Sequence, residues 1–140
     1  MTAKPLVAVT GASSGIGEAT ARAFSAAGHP VLLMARRIER LDAMRLPNSI
    51  CRKVDVRDRT ALTAAVRDAE AEFGPVDMMF ANAGIARLGD IGKQDPADWD
   101  EMIAINVNGV MNSVHAVMSG MMARRQAQET KPPGPLAATA

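Results

Sequence analysis

The feature that most constrains this chain is a glycine-rich turn between a predicted buried strand and a predicted helix. The apolar run at residues 6–9 leads directly into the segment 10–17, which is Thr-Gly-Ala-Ser-Ser-Gly-Ile-Gly. Apolar residues then recur at helical spacing over residues 16–27. A strand that breaks at glycines and restarts as a helix directs free backbone N–H groups and the positive end of the helix dipole at one point. The pattern therefore predicts a phosphate-binding loop.

The glycine spacing narrows the type of loop. It is Gly-x3-Gly-x-Gly, whereas the commonest dinucleotide fingerprint is Gly-x-Gly-x2-Gly. A P-loop is excluded because no Lys-Ser or Lys-Thr pair follows the last glycine. A glycine-rich turn with no ligand is the alternative interpretation. The residues of the loop predicted to contact a bound nucleotide are Gly11, Ser13, Ser14, Gly15, Ile16 and Gly17.

Strand and helix patterns alternate along the chain. Apolar runs at residues 31–35, 50–56 and 76–81 predict three further strands, and helical patterns separate them. A long helical pattern runs from Asp95-Pro96 to about residue 125, with a break or bend expected near Asn106. Alternation of this kind predicts the α/β class, with a doubly wound parallel sheet of about four strands and helices on both faces.

Composition excludes several classes of protein. The chain has 140 residues, enough for one domain, and a net charge of +1, which gives no reason to expect a nucleic-acid partner. No apolar run is long enough to span a membrane. The single cysteine, Cys51, excludes an internal disulfide and predicts a reducing, cytoplasmic location.

Polar or small residues follow each of the three later strands. Arg36 and Arg37 follow the second, Asp55-Val56 end the third, and Asn82-Ala83-Gly84 follow the fourth. Parallel strands place their carboxyl ends at one edge of the sheet, where doubly wound folds bind ligands. We therefore expect these residues and the glycine loop to form one site.

The turn after the second strand bears on which dinucleotide fits. An acidic residue there would accept hydrogen bonds from the ribose 2′-hydroxyl of NAD, whereas an arginine pairs with the 2′-phosphate of NADP. Arg36 and Arg37 occupy the turn, so NADP(H) is favoured and NAD(H) is the second choice. The alternative is that both arginines only begin a solvated helix. Asp55 is expected to accept from the adenine amine or to cap a helix.

Taken together, these motifs resemble the short-chain dehydrogenase/reductase family over about residues 5–125. The matching segments are the glycine loop 10–17, Asp55, Asn82-Ala83-Gly84 and the Asn106-Val107-x-Gly109 segment. The resemblance implies a Rossmann-type fold, a nicotinamide cofactor, hydride transfer between an alcohol and a carbonyl of a small-molecule substrate, and a homo-oligomer. It also implies that Asn106 is catalytic, holding a water in a proton relay.

The other catalytic members of that family are a serine and a Tyr-x3-Lys pair, and here the sequence departs from the pattern. It contains no tyrosine, and this type of chemistry needs a proton donor of tuned pKa. We therefore predict no turnover from this chain by itself. A non-catalytic NADP-binding sensor, or a subunit completed by a partner, is the alternative. A methyltransferase ranks third because an acidic residue is missing after the second strand.

The carboxyl-terminal composition predicts a domain boundary. Residues 1–125 are predicted to form a truncated dinucleotide-binding domain. Residues 126–140, rich in proline and alanine, are predicted to form a disordered tail. An unpaired apolar edge at residues 78–81 and a partly covered apolar face on the long helix predict an oligomer or poor solubility.

Overall fold

The computed structural model describes residues 4–129. It contains four strands and five α-helices, with a π-helical turn before the last helix. In chain order these are β1 (Leu6–Thr10), α1 (Gly15–Ala26), β2 (Val31–Ala35), α2 (Ile38–Ala43), β3 (Ser49–Lys53), α3 (Arg59–Phe73), β4 (Val76–Phe80), α4 (Pro96–Ile103), the π-helical turn (Ala104–Asn108) and α5 (Gly109–Glu129).

The four strands form one parallel sheet in the order β3-β2-β1-β4. Val7 is opposite Val31 in the β1–β2 pair, and Val9 is opposite Phe80 in the β1–β4 pair. The chain turns back between β3 and β4 to pair β4 with the free side of β1, so β1 lies at the switch point. This arrangement confirms the predicted Rossmann-type α/β fold.

The two central strands, β1 and β2, are buried on both faces, because successive side chains of a strand point to opposite sides. Leu6 and Ala8 of β1 belong to the apolar cluster that includes Leu62 of α3 and Val117 of α5. Val7 and Val9, together with residues of α1 and α2, belong to the cluster on the other face. Two thin apolar layers therefore hold β1 and β2 rigidly between pairs of helices.

Capping residues define several of the helix ends. The Asp58 carboxylate accepts from the Ala61 N–H at 2.9 Å, and the Asp95 carboxylate accepts from the Ala97 N–H at 2.9 Å. Pro96 occupies the first turn of α4, where its missing N–H costs nothing. Gly74 ends α3 with φ +84°, a conformation that favours glycine.

The third strand is shorter than predicted. The expected strand covered residues 50–56, whereas β3 ends at Lys53. Its last pairing partner is Ala35, the final residue of β2, so the chain has no strand to pair with beyond this point. Residues 54–56 consequently leave the sheet and become part of its carboxyl-edge surface.

The long helical segment has the predicted irregularity near Asn106, and it takes the form of the π-helical turn. Helix α5 then continues to Glu129, beyond the boundary expected at residue 125. Residues 126–129 of the predicted tail are therefore helical. Residues 130–140 of that tail lie outside the described residues.

One side of the fold carries exposed apolar side chains. Within residues 4–129, β4 pairs with β1 alone. No helix in this range has the length and apolar character needed to cross a bilayer. A row of exposed apolar residues nevertheless runs along α4, the π-helical turn and α5. This row, which we call the apolar stripe, consists of Ile103, Val107, Met111, Met118 and Met122.

Candidate functional site

A cleft of about 470 Å³ lies at the carboxyl edge of the sheet. All four predicted strand-end features contribute to it, so residues distant in sequence meet at the expected place. Its walls are formed by Gly11, Ser13, Ser14, Ala35, Arg36, Arg37, Val54, Asp55, Val56, Asn82, Ala83, Gly84, Ile85 and Ile105. Four predicted site residues are not part of these walls: Gly15, Ile16, Gly17 and Asn106.

Thr10, the last residue of β1, organises the floor of the cleft. Its buried hydroxyl accepts from the backbone N–H groups of Asn82 and Ala83, each at 3.1 Å. The Asn82 side-chain amide donates to the carbonyls of Thr10 at 3.1 Å and Gly11 at 3.4 Å. These bonds join the glycine loop to the segment that follows β4. The sequence analysis included Thr10 in the glycine loop but gave it no separate role, although a polar residue that ends an apolar strand was an available signal.

Two of the glycines are required by close packing. Gly11 has φ +65°, and a Cβ there would lie 2.8 Å from the Ala83 Cα. A Cβ on Gly17 would lie 2.3 Å from the Gly11 carbonyl oxygen and 2.5 Å from the Asn82 Nδ2. Gly17 therefore lets α1 approach the loop and β4 closely, rather than forming a wall of the cleft.

Gly15 differs, because it borders open space. It has φ +56°, and a Cβ there would meet no atom within 4 Å. Ser14 occupies the N-cap of α1 without a side-chain capping bond, and the first N–H groups of a helix have no intrahelical partner. The open start of α1 thus fits an anion such as a pyrophosphate. Ile16 is 78% exposed beside it.

Two arginines border the cleft on the β2 side. Arg37 donates from Nη2 to the Ser13 hydroxyl at 3.3 Å and to the Ser14 hydroxyl at 3.4 Å, so the guanidinium spans from the β2 turn to the glycine loop. Arg36 also lines the cleft. This end of the site is therefore cationic and rich in N–H and O–H donors.

Asp55 follows β3, next to β2, and its carboxylate is held by Arg57. The Arg57 Nη2 lies 2.6 Å from Oδ2 of Asp55, and its Nε lies 2.9 Å from Oδ1. The Arg57 backbone N–H also donates to Oδ1 at 2.9 Å. The side-chain hydrogen bond from Arg57 is the main reason why the pKa of Asp55 is lowered from 3.8. Asp55 is therefore a fixed, ionised acceptor near neutral pH.

Helix α5 packs against Val56, the residue that follows Asp55. The buried Asn112 amide donates to the Val56 carbonyl at 3.0 Å, and its oxygen accepts from Arg59 Nε at 3.1 Å. A Cβ on Gly109 would lie 2.5 Å from the Val56 Cγ2, so only glycine allows this approach. The sequence analysis named Gly109 only as part of a matching segment and gave neither Gly109 nor Asn112 this supporting role, because each acts across a long separation in the chain.

Asn106 lies in the π-helical turn and binds backbone. Its Nδ2 donates to the Ile85 carbonyl at 2.7 Å, and its Oδ1 accepts from the Ile85 N–H at 2.8 Å. A π-helical turn often occurs where a side chain is needed in a particular place. In this structure the Asn106 side chain fixes the segment that follows Asn82-Ala83-Gly84.

The loop after that segment is tied to α4 by charge. Arg87 donates from Nε to Glu101 at 3.2 Å, and the same nitrogen lies 3.2 Å from the Asp98 carboxylate. The hydrogen bond from Arg87 is the main reason for the lowered pKa of Glu101. Among residues 4–129, no three His, Cys, Asp or Glu side chains are grouped to bind a metal ion.

Comparisons with known proteins agree with this geometry. A sequence profile described as short chain dehydrogenase matches residues 5–128. Galactitol 2-dehydrogenase from Cereibacter sphaeroides is 41% identical over 84% of this chain and 47% of its own length. The NADP-dependent 3-hydroxy acid dehydrogenase of Salmonella typhi is 36% identical over 86% of this chain and 50% of its own length. This chain thus spans about half the length of these curated relatives.

Solved structures with the same fold include serine dehydrogenase from Escherichia coli. It superposes with a TM-score of 0.79 and 35% identity, covering 85% of this chain and 57% of that chain. The closed form of serine dehydrogenase complexed with NADP+ gives a TM-score of 0.80 at 35% identity, covering 85% of this chain and 50% of that chain. The profile match covers most of the chain, and the structural matches have the same fold. The chain therefore belongs to the short chain dehydrogenase family.

Proposed function

We propose that this chain binds NADP(H) in the carboxyl-edge cleft and forms the cofactor-binding part of an oxidoreductase. The reaction class is hydride transfer between an alcohol and a carbonyl of a small-molecule substrate. Family membership supports the oxidoreductase class, and NADP is named for two curated relatives and for two matching solved structures. NAD(H) is the less favoured cofactor.

The observation that carries the choice of NADP(H) is the position of Arg37. Its guanidinium reaches the hydroxyls of Ser13 and Ser14, so a cation and two hydroxyl donors meet beside the phosphate-binding loop. Arg36 adds a second positive charge to the same wall. A ribose 2′-phosphate is a doubly charged acceptor that suits this donor set. A 2′-hydroxyl is uncharged and gains no charge-assisted hydrogen bond from it.

Each wall of the cleft has a separate part in the proposal. The open start of α1 at Ser14 and Gly15 would hold the pyrophosphate. Asp55, with Val56 beside it, would receive the adenine. Asn82, Ala83 and Gly84 would leave room for the nicotinamide half, because their side chains are small or directed to backbone. The bound cofactor would supply the hydride.

Turnover requires more than this cleft. Asn106 is the catalytic residue that the resemblance implies, and here its amide holds the Ile85 backbone. The 140 residues contain no tyrosine, so this chain by itself lacks the general acid of the family resemblance. We therefore expect cofactor binding without turnover. A non-catalytic NADP-binding sensor, or a subunit that a partner completes, is the second candidate, favoured by the same missing residue.

We also propose that the chain associates with copies of itself. The apolar stripe leaves Met111 63% exposed and Ile103 56% exposed. Groups of exposed apolar side chains on one side of a protein mark interaction sites, and most soluble oligomers are homo-oligomers. A cytoplasmic location is proposed with it, since the single thiol, Cys51, forms no disulfide.

Titration of the purified chain with NADPH and with NADH tests the cofactor. We expect NADPH to bind at least about tenfold more tightly, since a charge-assisted hydrogen bond contributes about 1.5–3 kcal/mol. Arg37→Met should reduce this preference, with Arg36 retaining part of it. Arg40→Met is the matched control, because Arg40 is exposed on α2 and does not line the cleft.

The outcomes separate the candidates. Equal affinity for NADPH and NADH in the parent chain would contradict the NADP(H) assignment, and no binding of either would contradict the proposal as a whole. An assay of the same sample with a panel of alcohols and aldehydes should show no turnover. Turnover would show that the missing tyrosine has been replaced by another proton donor.

A further inference from the structure

Arg57 lies just outside the cleft, and its role is not explained by the fold. It lines a second, adjacent cleft together with Arg59, Asn108 and Met111. Its guanidinium makes three side-chain contacts of 2.6–3.1 Å to the two carboxylate oxygens of Asp55. Both Asp55 oxygens are therefore engaged from one side, and the carboxylate plane is fixed.

Hydrogen bonds also hold the backbone of Asp55 and Val56. Asn112 holds the Val56 carbonyl at 3.0 Å, and the Asp58 N–H donates to the Asp55 carbonyl at 2.8 Å. The remaining freedom of Asp55 is the rotation of its side chain. That rotation is what the Arg57 contacts restrict, since an Arg–carboxylate fork holds a defined plane whereas a point charge does not.

We propose that Arg57 is the positioning residue that sets recognition of the adenine base, by holding the Asp55 carboxylate so that its free lone pairs face the exocyclic amine. This inference rests on the proposed NADP(H) function and concerns only the adenine end of the site. Each carboxylate oxygen has more than one lone pair, so Asp55 accepts from the amine while it remains paired with Arg57.

The alternative role for Arg57 is competition, in which it occupies Asp55 and must be displaced by the adenine. The two roles predict opposite results. If Arg57 positions Asp55, then removing it weakens discrimination at the amine. If it competes with the adenine, then removing it strengthens discrimination. A purely structural role changes stability and leaves discrimination unchanged.

The probe is a pair of ligands, NADPH and its hypoxanthine analogue, in which a carbonyl oxygen replaces the exocyclic amine. Dissociation constants are measured by calorimetry for the parent chain, Arg57→Met and Arg57→Lys. The parent chain should prefer NADPH by at least about tenfold, because the analogue places a carbonyl oxygen, which cannot donate, next to the Asp55 carboxylate. Arg57→Met should reduce this ratio to below about threefold. Arg57→Lys should also lose most of it, since an ammonium does not fix the carboxylate plane.

The matched control is Arg67→Met, which removes the same charge from an exposed position on α3. Its ratio should equal that of the parent chain. A parent ratio near one, or an unchanged or increased ratio in either Arg57 variant, overturns the proposal. Failure of the parent chain to bind both ligands instead overturns the proposed function. Thermal melting of each variant separates a folding defect from a change in recognition, and Arg57→Lys remains informative if Arg57→Met does not fold.

Discussion

The carboxyl edge of the sheet and the outer side formed by β4, α4 and α5 differ in how fully their groups are paired. At the carboxyl edge, Thr10, Asn82 and Asn106 each make two or more hydrogen bonds to backbone. On the outer side, Met111 and Met122 are more than half exposed. Specific polar pairing fixes the first region in one geometry. The second also has polar contacts, since Arg124 of α5 donates to the Val76 carbonyl and the Asp77 carboxylate of β4, but it leaves large apolar side chains exposed.

The difference shows where this chain tolerates change. A site defined by hydrogen bonds and close approach fails when one atom is added, because protein interiors have little free volume. An exposed apolar surface accepts most substitutions, although it changes what the protein associates with. The following predictions test this contrast.

The largest effect is expected at Gly17. In Gly17→Ala the new Cβ would lie 2.3 Å from the Gly11 carbonyl oxygen, which is backbone and has little room to move. We expect a loss of about 3 kcal/mol or more in the free energy of unfolding, measured by urea denaturation.

The same substitution on the outer side provides the control. Gly120 lies within α5, and the nearest atom to its added Cβ is the end of the flexible Arg124 side chain at 3.4 Å. Gly120→Ala should stabilise the chain by up to about 1 kcal/mol through helix propensity. Equal and small effects at both glycines would contradict the comparison.

The next effect concerns the hydroxyl of Thr10. Thr10→Val keeps the shape of the side chain but leaves the N–H groups of Asn82 and Ala83 without their acceptor. We expect a loss of about 1–3 kcal/mol in unfolding free energy, together with weaker NADPH binding. Thr10→Ser retains the acceptor and should recover most of the binding. Equal binding by both variants would show that the hydroxyl does not hold the cleft.

A third prediction addresses the apolar stripe. Met111→Lys and Met118→Lys introduce charge at positions that are 63% and 45% exposed. Both should leave the melting temperature nearly unchanged and weaken self-association at least about tenfold, since a buried charge in an interface costs several kcal/mol. Light scattering across a concentration series gives the measurement.

Ser119→Lys adds the same charge to an exposed position on α5 outside the stripe, and it should associate like the parent chain. A parent chain that stays monomeric at high concentration would contradict the proposal that the apolar stripe mediates self-association.

The smallest effect is expected at Cys51 on β3, the other edge strand. Burial, followed by the neighbouring Asp42, raises the pKa of this thiol to about 11. The thiolate is therefore scarce at pH 8, and alkylation should be on the order of 100-fold slower than for free cysteine. The pKa of Cys51 in the folded chain exceeds the ordinary value of 9.0. Its contribution to the free energy of unfolding is therefore complete below pH 9.0 and declines as the pH rises toward 11.

The pKa of the Cys51 thiol is measured from the rate of iodoacetamide labelling as a function of pH, followed by mass spectrometry. Asp42→Asn should move the labelling curve to lower pH. Rapid labelling at pH 7 in the parent chain would contradict the assignment.

Much of the fold could be predicted because its signals are local. The run at residues 31–35 gives β2 with its exact limits, and Asp58 and Asp95 cap the helices they precede. The end of β3 could not be predicted, since it depends on where β2 stops offering partners. Helix α5 continues to Glu129, a few residues beyond the limit expected at about residue 125, and the domain boundary expected there stays a prediction.

The candidate site divides in the same way. Sequence alone determined the glycine loop, the arginines after β2, Asp55 and Asn82-Ala83-Gly84, because each follows an apolar strand and parallel strands end at one edge. Only the tertiary structure decided which groups act on one another. Thr10 and Asn82 are 72 residues apart, Asn106 and Ile85 are 21 apart, and Arg37 meets the glycine loop across two strands. Such contacts depend on how the helices pack against the sheet, and a local pattern of residues does not predict that packing.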